Sequence, residues 1–478
     1  MVLAFFGALA GLMVSVWTSS LLVQSIPGEG GASGLSASLD LRTIAFTCVL
    51  ALITGIGFGL LPAIQSTRPN VYPTLKDQGG SVIGGFGQVR SRQALVVVQV
   101  ALSLLLLVGA GLFTRSLINL RKLDPGFRTA NLVLFLVDAS RNGYPQPRIH
   151  QLYQDIQQRL ASVPGAASAA WADIVLLSGD SSQNTISVEG YTPKPEENMS
   201  PNFDTVSPGF FATLGIPIVA GRDFTEQDKL GAHKVAVVNE LFARRFFGRE
   251  NPIGHRFGFS RDHQNDTEIV GVVKDGKYNS LRNDKPTLVY TPFLQKEDLG
   301  EMSAYVRTAA PPETLMPALR AEVAKIDPSL AIWDLRTMES QVNESLFAER
   351  LIAILCACFG ALATLLAAIG LYGVMAFSVA RRTREIGIRM ALGAGRARVL
   401  RMVLIEVGWM CLIGVGVGVP LSIALSRYLI SQLYGVAPND SPTLAFAALT
   451  MICVSLIAGF IPAHRAATVD PTIALRYE

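Results

Sequence analysis

The sequence predicts an α-helical membrane protein with six transmembrane helices and one large α+β extracytoplasmic domain. Three observations carry this prediction. First, six windows of about twenty apolar residues contain no Asp, Glu, Lys or Arg: 2–23, 43–64, 94–113, 351–380, 407–426 and 443–463. That is the length a helix needs to cross a hydrocarbon core. Second, a stretch of more than 230 residues between the third and fourth windows has an ordinary soluble composition. Third, charged residues make up 16% of the 478-residue chain and the mean hydropathy is +0.37. Soluble domains carry about a quarter charged residues. A purely soluble enzyme and a disordered protein are therefore excluded, and the middle stretch excludes a wholly lipid-embedded bundle.

The windows are rich in Leu, Val, Ala and Gly, as helices packed within a membrane are. The first lacks the basic flank and cleavage site of a signal peptide, so it is read as a span. Lys and Arg in short loops set the orientation. Residues 25–41 carry none, while 65–93 carry Arg68, Lys76, Arg90 and Arg92. Residues 381–406 carry Arg381, Arg382, Arg384, Arg389, Arg396, Arg398 and Arg401. Residues 427–442 carry Arg427 alone, and the tail carries Arg465 and Arg476. Basic and basic-poor segments alternate, as six spans require. Both termini are expected in the cytoplasm, and residues of about 114–350 outside it.

Cys48, Cys356, Cys358, Cys411 and Cys453 all fall in apolar windows, so a disulfide framework for the middle domain is excluded. The pair Cys356/Cys358 reads as small packing residues of a membrane helix rather than a metal site. The net charge of +4 comes with no basic stripe interleaved with aromatics. No nucleic-acid partner is expected, and no cofactor.

A shift of 400 residues aligns the start of the chain with its end. Asp40 meets Asp440, Thr43 meets Thr443, Ala45-Phe46 meets Ala445-Phe446, Gly59 meets Gly459, Pro62-Ala63 meets Pro462-Ala463, and Leu75 meets Leu475. No gap is needed from Asp40 to Lys76. Shared apolar character alone would not keep Pro, Asp and Thr in one register. The chain is expected to hold the last two helices of one unit, then a complete four-helix unit. Parallel repeats of this kind build many transporters. The absent front of the first unit points to a truncated or split gene product.

In the middle domain, β-branched runs bounded by Gly, Pro, Asn or Asp predict strands at 132–137, 185–189, 234–238, 268–273, 287–291 and 302–307. Helices are predicted at 147–162, 208–214, 239–247 and 312–326, three of them opening on proline. His150, His233, His255 and His263 lack metal-ligand spacing, and no GxSxG elbow occurs. Asp223, Glu226 and Asp228 read as a solvated turn. Gly271 to Lys277 matches GxxxxGK but ends in Tyr278, where a phosphate loop needs Ser or Thr for magnesium. It reads as a strand and turn, and the LSGDS run at 177–181 only faintly resembles an ABC signature. No ATPase motif belongs to this chain.

The sharpest signal is RRTREIGIRMALGAG at 381–395. A positive-inside anchor explains its arginines but not the ordered Ile386, Ile388 and Met390, nor Gly393 and Gly395, which are expected to end a short helix. A short amphipathic cytoplasmic helix can lay its apolar side in a partner's groove. Here the sequence resembles the FtsX-like permeases of ABC transporters, the family of MacB and the lipoprotein-releasing permeases. The run at 383–394 and the run IPAHRAATVDPTIALR at 461–476 carry the resemblance. FFATLGIPIVAGRDF at 210–224, with Val238-Asn239-Glu240, NPIG at 251–254 and IVGVV at 269–273, resembles the MacB-like periplasmic core. The doubled arrangement looks most like the duplicated orphan permeases of Acidobacteria.

The resemblance implies residues 1–66 as the last two transmembrane helices of a first FtsX-like unit and 67–93 as a cytoplasmic linker. It implies 94–115 as a transmembrane helix, 116–350 as the extracytoplasmic MacB-like α+β domain, and 351–478 as the FtsX-like permease domain. A separate cytoplasmic ABC ATPase would dock on Thr383, Arg384, Glu385, Ile386, Gly387, Ile388, Arg389, Met390, Leu392 and Gly393. Its ATP-driven closure would move the outer domain for export or efflux. Further implied partners are a second permease copy or the missing half, the lipid bilayer, a periplasmic adaptor and an outer-membrane factor. The implied location is the bacterial inner membrane. The alternative is a transmembrane signal transmitter activating an extracytoplasmic hydrolase or a sensor kinase, as FtsX itself does with a much smaller outer domain.

Overall fold

Each apolar window lies within a helix that extends past it on at least one side. The computed structural model describes residues 2–25, 41–66, 86–259, 265–392 and 394–468. Helices α1 (Val2–Ser25) and α2 (Leu41–Ser66) pack on one another. Helix α3 (Phe86–Lys122) begins inside the stretch predicted as linker. Among the described residues, four helices are long and apolar enough to cross a membrane: Arg92–Lys122, Phe347–Arg381, Arg396–Gln432 and Ser441–Ala467. Helices α1 and α2 contain the shorter apolar helical stretches Phe5–Ser20 and Leu41–Ile53. Four of the six predicted spans are thus crossing-length helices among the described residues. Asp40, Leu75, Lys76 and Leu475 of the repeat, with Arg68 and Arg476, lie outside the described residues.

The chain divides into two units, Leu117–Arg350 and the rest. A twelve-stranded sheet organises Leu117–Arg350. Its strands are β1 (Leu132–Asp138), β2 (Ala166–Ala172), β3 (Ser182–Gln183), β4 (Ser187–Val188), β5 (Asn202–Val206), β6 (Ile218–Gly221), β7 (Lys234–Asn239), β8 (Arg256–Gly258), β9 (Thr267–Val273), β10 (Leu288–Pro292), β11 (Glu301–Thr308) and β12 (Ile332–Thr337). The order is β12-β1-β11-β2-β5-β10-β7-β9-β8-β4, with β3 on β5 and β6 on β9. Most pairs are antiparallel, but β5 with β10 and β7 with β9 run parallel. All six predicted strands form, and the one predicted at 185–189 shrinks to β4.

Helices cover this sheet in two places. Helix α4 (Gln146–Ser162) buries Ile149, Leu152, Tyr153, Ile156 and Leu160 along one stripe, the spacing of an amphipathic helix. With α7 (Pro312–Ile326) it closes a core over Val133, Phe135, Trp171, Met302 and Val306. Pro147 and Pro312 stand in the first turns, where a missing N–H costs nothing. The second core holds Ala236, Val238, Ile269 and Val289 beneath Phe242 and Phe246 of α6 (Glu240–Phe247). Two short helices complete the domain. Helix α5 (Phe210–Leu214) starts after Pro208 rather than on it, and α8 (Met338–Ser345) is capped by Thr337.

The other unit continues with α9 (Phe347–Arg381), α10 (Thr383–Ala391), α11 (Arg396–Ser426) and α12 (Ser441–Ala467). Helices α2 and α12 begin 400 positions apart, as the repeat does. Val96, Val100, Leu104, Val108 and Leu112 form one i, i+4 row on α3 and pack with Leu371, Met375, Val407 and Met451. Small residues bring the backbones together, the usual device where lipid removes the hydrophobic drive between helices. A Cβ on Gly414 would meet Val100 at 2.6 Å, and one on Gly418 would meet Leu104 at 2.9 Å. Phe359, Trp409, Phe446 and Ile457 stay exposed, so these helices are apolar all round, as membrane spans are. The five cysteines are free.

Candidate functional site

Helix α10 is built by the pattern that singled it out. Its residues separate into a buried face and an exposed one. Ile386 and Gly387 are buried, and Met390 is half-buried. Ile386 packs against Val399 of α11 and Ala466 and Ala467 of α12. Glu385, Ile388, Arg389 and Leu392 are exposed. These stand at i, i+3, i+4 and i+7, so they share one helical face. Ile388 is 43% exposed and Leu392 83% exposed. The apolar side predicted to enter a partner is therefore split: half anchors the helix to its own unit and half faces outward.

Polar contacts fix α10 in place. Thr383 Oγ1 donates to the Val379 carbonyl at 3.1 Å and to that of Ala380 at 2.9 Å, tying the helix start to the end of α9. Arg389 pairs with Glu385 at 2.6 Å along the exposed face. The Leu392 N–H closes the last turn on the Ile388 carbonyl. Gly395 does not end this helix as predicted: it takes an extended conformation (φ −64°) and starts α11. The Arg384 side chain and Gly393 lie outside the described residues.

Sequence reasoning missed one group beside this segment. Glu406 of α11 accepts from Gln93 of α3 at 2.9 Å and pairs with Arg382 at 3.3 Å. It links α3 and α11 to the junction of α9 and α10, and an acid one residue before an apolar window was its signal. At their opposite ends, Arg115 of α3 pairs with Asp440, which also caps α12 by accepting from the Thr443 N–H at 3.1 Å.

The near-misses of the other unit are structural. Lys277 is buried and donates to the Asn283 carbonyl, and Gly271 lies within β9. Burial lowers the Lys277 pKa. Residues 223–228 form a turn with Glu226 exposed, as predicted, but Asp228 is not solvated. Asp228 is buried and takes Arg222 in two bonds of 2.7 and 2.9 Å. Burial alone would raise its pKa, but the Arg222 bonds hold it below the ordinary value. Asp223 is raised by burial. His150 bonds the carbonyls of Gln146 and Lys296, and His263 lies outside the described residues. Among the described residues no cluster of three or more His, Cys, Asp or Glu could hold a metal.

A membrane protein with an α+β domain set between apolar helices, and a short two-faced helix after one of them, is the class these features define. The MacB-like periplasmic core domain family matches residues 94–326, and the FtsX-like permease C-terminal family matches residues 357–471. The chain thus carries a MacB-like periplasmic core domain and an FtsX-like permease domain. It is 27% identical over 353 residues to "Uncharacterized ABC transporter permease YknZ" of Bacillus subtilis, covering 70% of this chain and 86% of that one. It is 26% identical to "Pyoverdine export ATP-binding/permease protein PvdT" of Pseudomonas syringae, over 56% of this chain and 42% of the relative. The chain thus spans less than half the length of that exporter. The solved periplasmic region of MacB from Actinobacillus actinomycetemcomitans aligns over 45% of this chain and 92% of that one, at 16% identity and a TM-score of 0.31.

Proposed function

We propose that this chain is the permease subunit of an export or efflux transporter driven by a separate cytoplasmic ABC ATPase that docks on α10. The observation that carries this reading is the exposed face of Glu385, Ile388, Arg389 and Leu392. Two solvated aliphatic side chains flanked by an ion pair fit a groove in a partner. The buried face of Ile386 and Gly387, with the Thr383 anchor, makes the helix a rigid handle on α9, α11 and α12. A push on α10 would reach the membrane helices without first deforming the handle. The export relatives support the direction of transport. In this reading the six windows all cross the bacterial inner membrane, both termini are cytoplasmic and residues of about 114–350 are periplasmic. A second permease copy completes the translocation unit, and a periplasmic adaptor and outer-membrane factor extend it.

The test is co-purification of the full chain with its ATPase. Ile388→Asp and Leu392→Asp leave the buried face untouched and should abolish association while the permease still accumulates. Gly387→Pro should abolish it by breaking the helix. Unchanged association in the two aspartate variants would overturn the assignment of this face.

A further inference from the structure

We propose that the domain Leu117–Arg350 carries an oxyanion site at Arg128 and Arg307, built for a phosphate group. A cavity of about 500 Å³ is lined by Asp124, Pro125, Phe127, Arg128, Arg307 and Thr308, among others. Arg307 of β11 is half-buried and locked by three backbone carbonyls. It donates to Thr213 at 2.9 Å, to Ala130 at 2.5 Å and to Arg128 at 3.0 Å. A guanidinium carries five N–H donors in a rigid plane. Two therefore remain unspent on a group that cannot turn away.

Arg128 stands beside it with its guanidinium in no hydrogen bond or ion pair among the described residues. Its stem lies on Gly215, where a Cβ would meet the Arg128 Cδ at 2.9 Å. Gly215 has φ +71°, so the glycine both permits the backbone turn and leaves room for the arginine. Asp124 is the one acid among the lining residues, and its Oδ1 is occupied by the Gly126 N–H at 2.9 Å. Burial, then Arg128, lower the Arg307 pKa, the mark of two cations sharing a site without a counter-charge. Two adjacent guanidiniums match a phosphate in charge and in fork geometry. A soluble phosphate ester and a phospholipid headgroup present the same group.

The full chain in dodecyl maltoside, a detergent without phosphate, titrated calorimetrically with inorganic phosphate, tests the site. Saturable binding is expected, weakened at least tenfold by Arg128→Gln and less by Arg128→Lys. Arg128 is exposed, so neither variant should move the unfolding midpoint. Absence of saturable binding in the wild type, or equal binding by Arg128→Gln, overturns the proposal. Phosphatidylglycerol nanodiscs identify the source. If they suppress the titration, a lipid headgroup fills the site; if the titration persists, the ligand is a soluble phosphate. Either result upholds the site.

Discussion

Gly459 of α12 lies so close to Val407 of α11 that a Cβ built on it would sit 2.6 Å from Val407 Cγ2. The two helices meet at this point over hydrogen alone. Gly459→Leu should force them apart or push Val407 off its rotamer, at a cost of about 1–3 kcal/mol. The unfolding midpoint of the purified chain should fall. Gly416 of α11 is exposed with nothing within 4 Å of its Cβ position, so Gly416→Leu should leave the midpoint level or raise it. Equal losses in both variants would show that close approach is not what the glycine provides.

Asn239 joins three segments. Its Oδ1 accepts from the Phe242 N–H at 3.1 Å, capping α6, and from the Leu288 N–H of β10 at 2.9 Å. Its Nδ2 donates to the Pro286 carbonyl at 2.8 Å. The residue is fully buried. Asn239→Ala would strand these groups, and each stranded group costs about 1–3 kcal/mol. A denaturant midpoint well below wild type is expected. Asn239→Asp should also destabilise, because it keeps the acceptor, loses the donor and buries a charge. An alanine variant as stable as wild type would refute this role.

Asp204 gives the domain a pH dependence of unusual sign. Burial pushes its carboxyl up to about 8. Oδ1 accepts the Ile174 N–H at 3.2 Å, and Oδ2 has no partner. Asp173 adds a like charge, while Tyr278, Tyr290 and Tyr305 nearby are raised by burial themselves. The unfolded chain releases this proton near pH 4, and the native chain keeps it until about pH 8. Stability should therefore fall as pH rises from about 4 to 8, then level. Asp204→Asn should remove that fall and be most stabilising, relative to wild type, at pH 8 and above. Midpoints measured from pH 4 to 9 decide it: an unchanged slope in the variant would sink the argument.

The elements legible in the sequence are those whose own residues decide them. Six uncharged windows became helices because no other regular structure buries that much uninterrupted apolar chain. Helices α4 and α7 were marked by proline and a 3.6-residue stripe. The missed strands are decided by their neighbours. β2 reads AASAAWA, which has no β-branched residue, and is a strand because β11 pairs along it. β5 reads NFDTV and is held between β2 and β10. β12 contains Asp334 at φ +51°, a turn signal inside a strand. In the coupling segment the helix was legible, but not which apolar residues it spends on its own unit. That depends on Val399, Ala466 and Ala467 arriving from helices the local sequence does not contain.

The first strand of the sheet has a late schedule. Strand β1 reads LVLFLVD and is hydrogen-bonded on one edge to β11 and on the other to β12. Neither partner exists until the ribosome has passed Glu301. At ordinary elongation rates that leaves the most apolar strand of the domain waiting on the order of ten seconds for a neighbour. A bare apolar strand is an aggregation hazard for that whole interval. The assembly of this domain is thus governed by its last strands, and it depends on whatever shelters its first strand until they arrive.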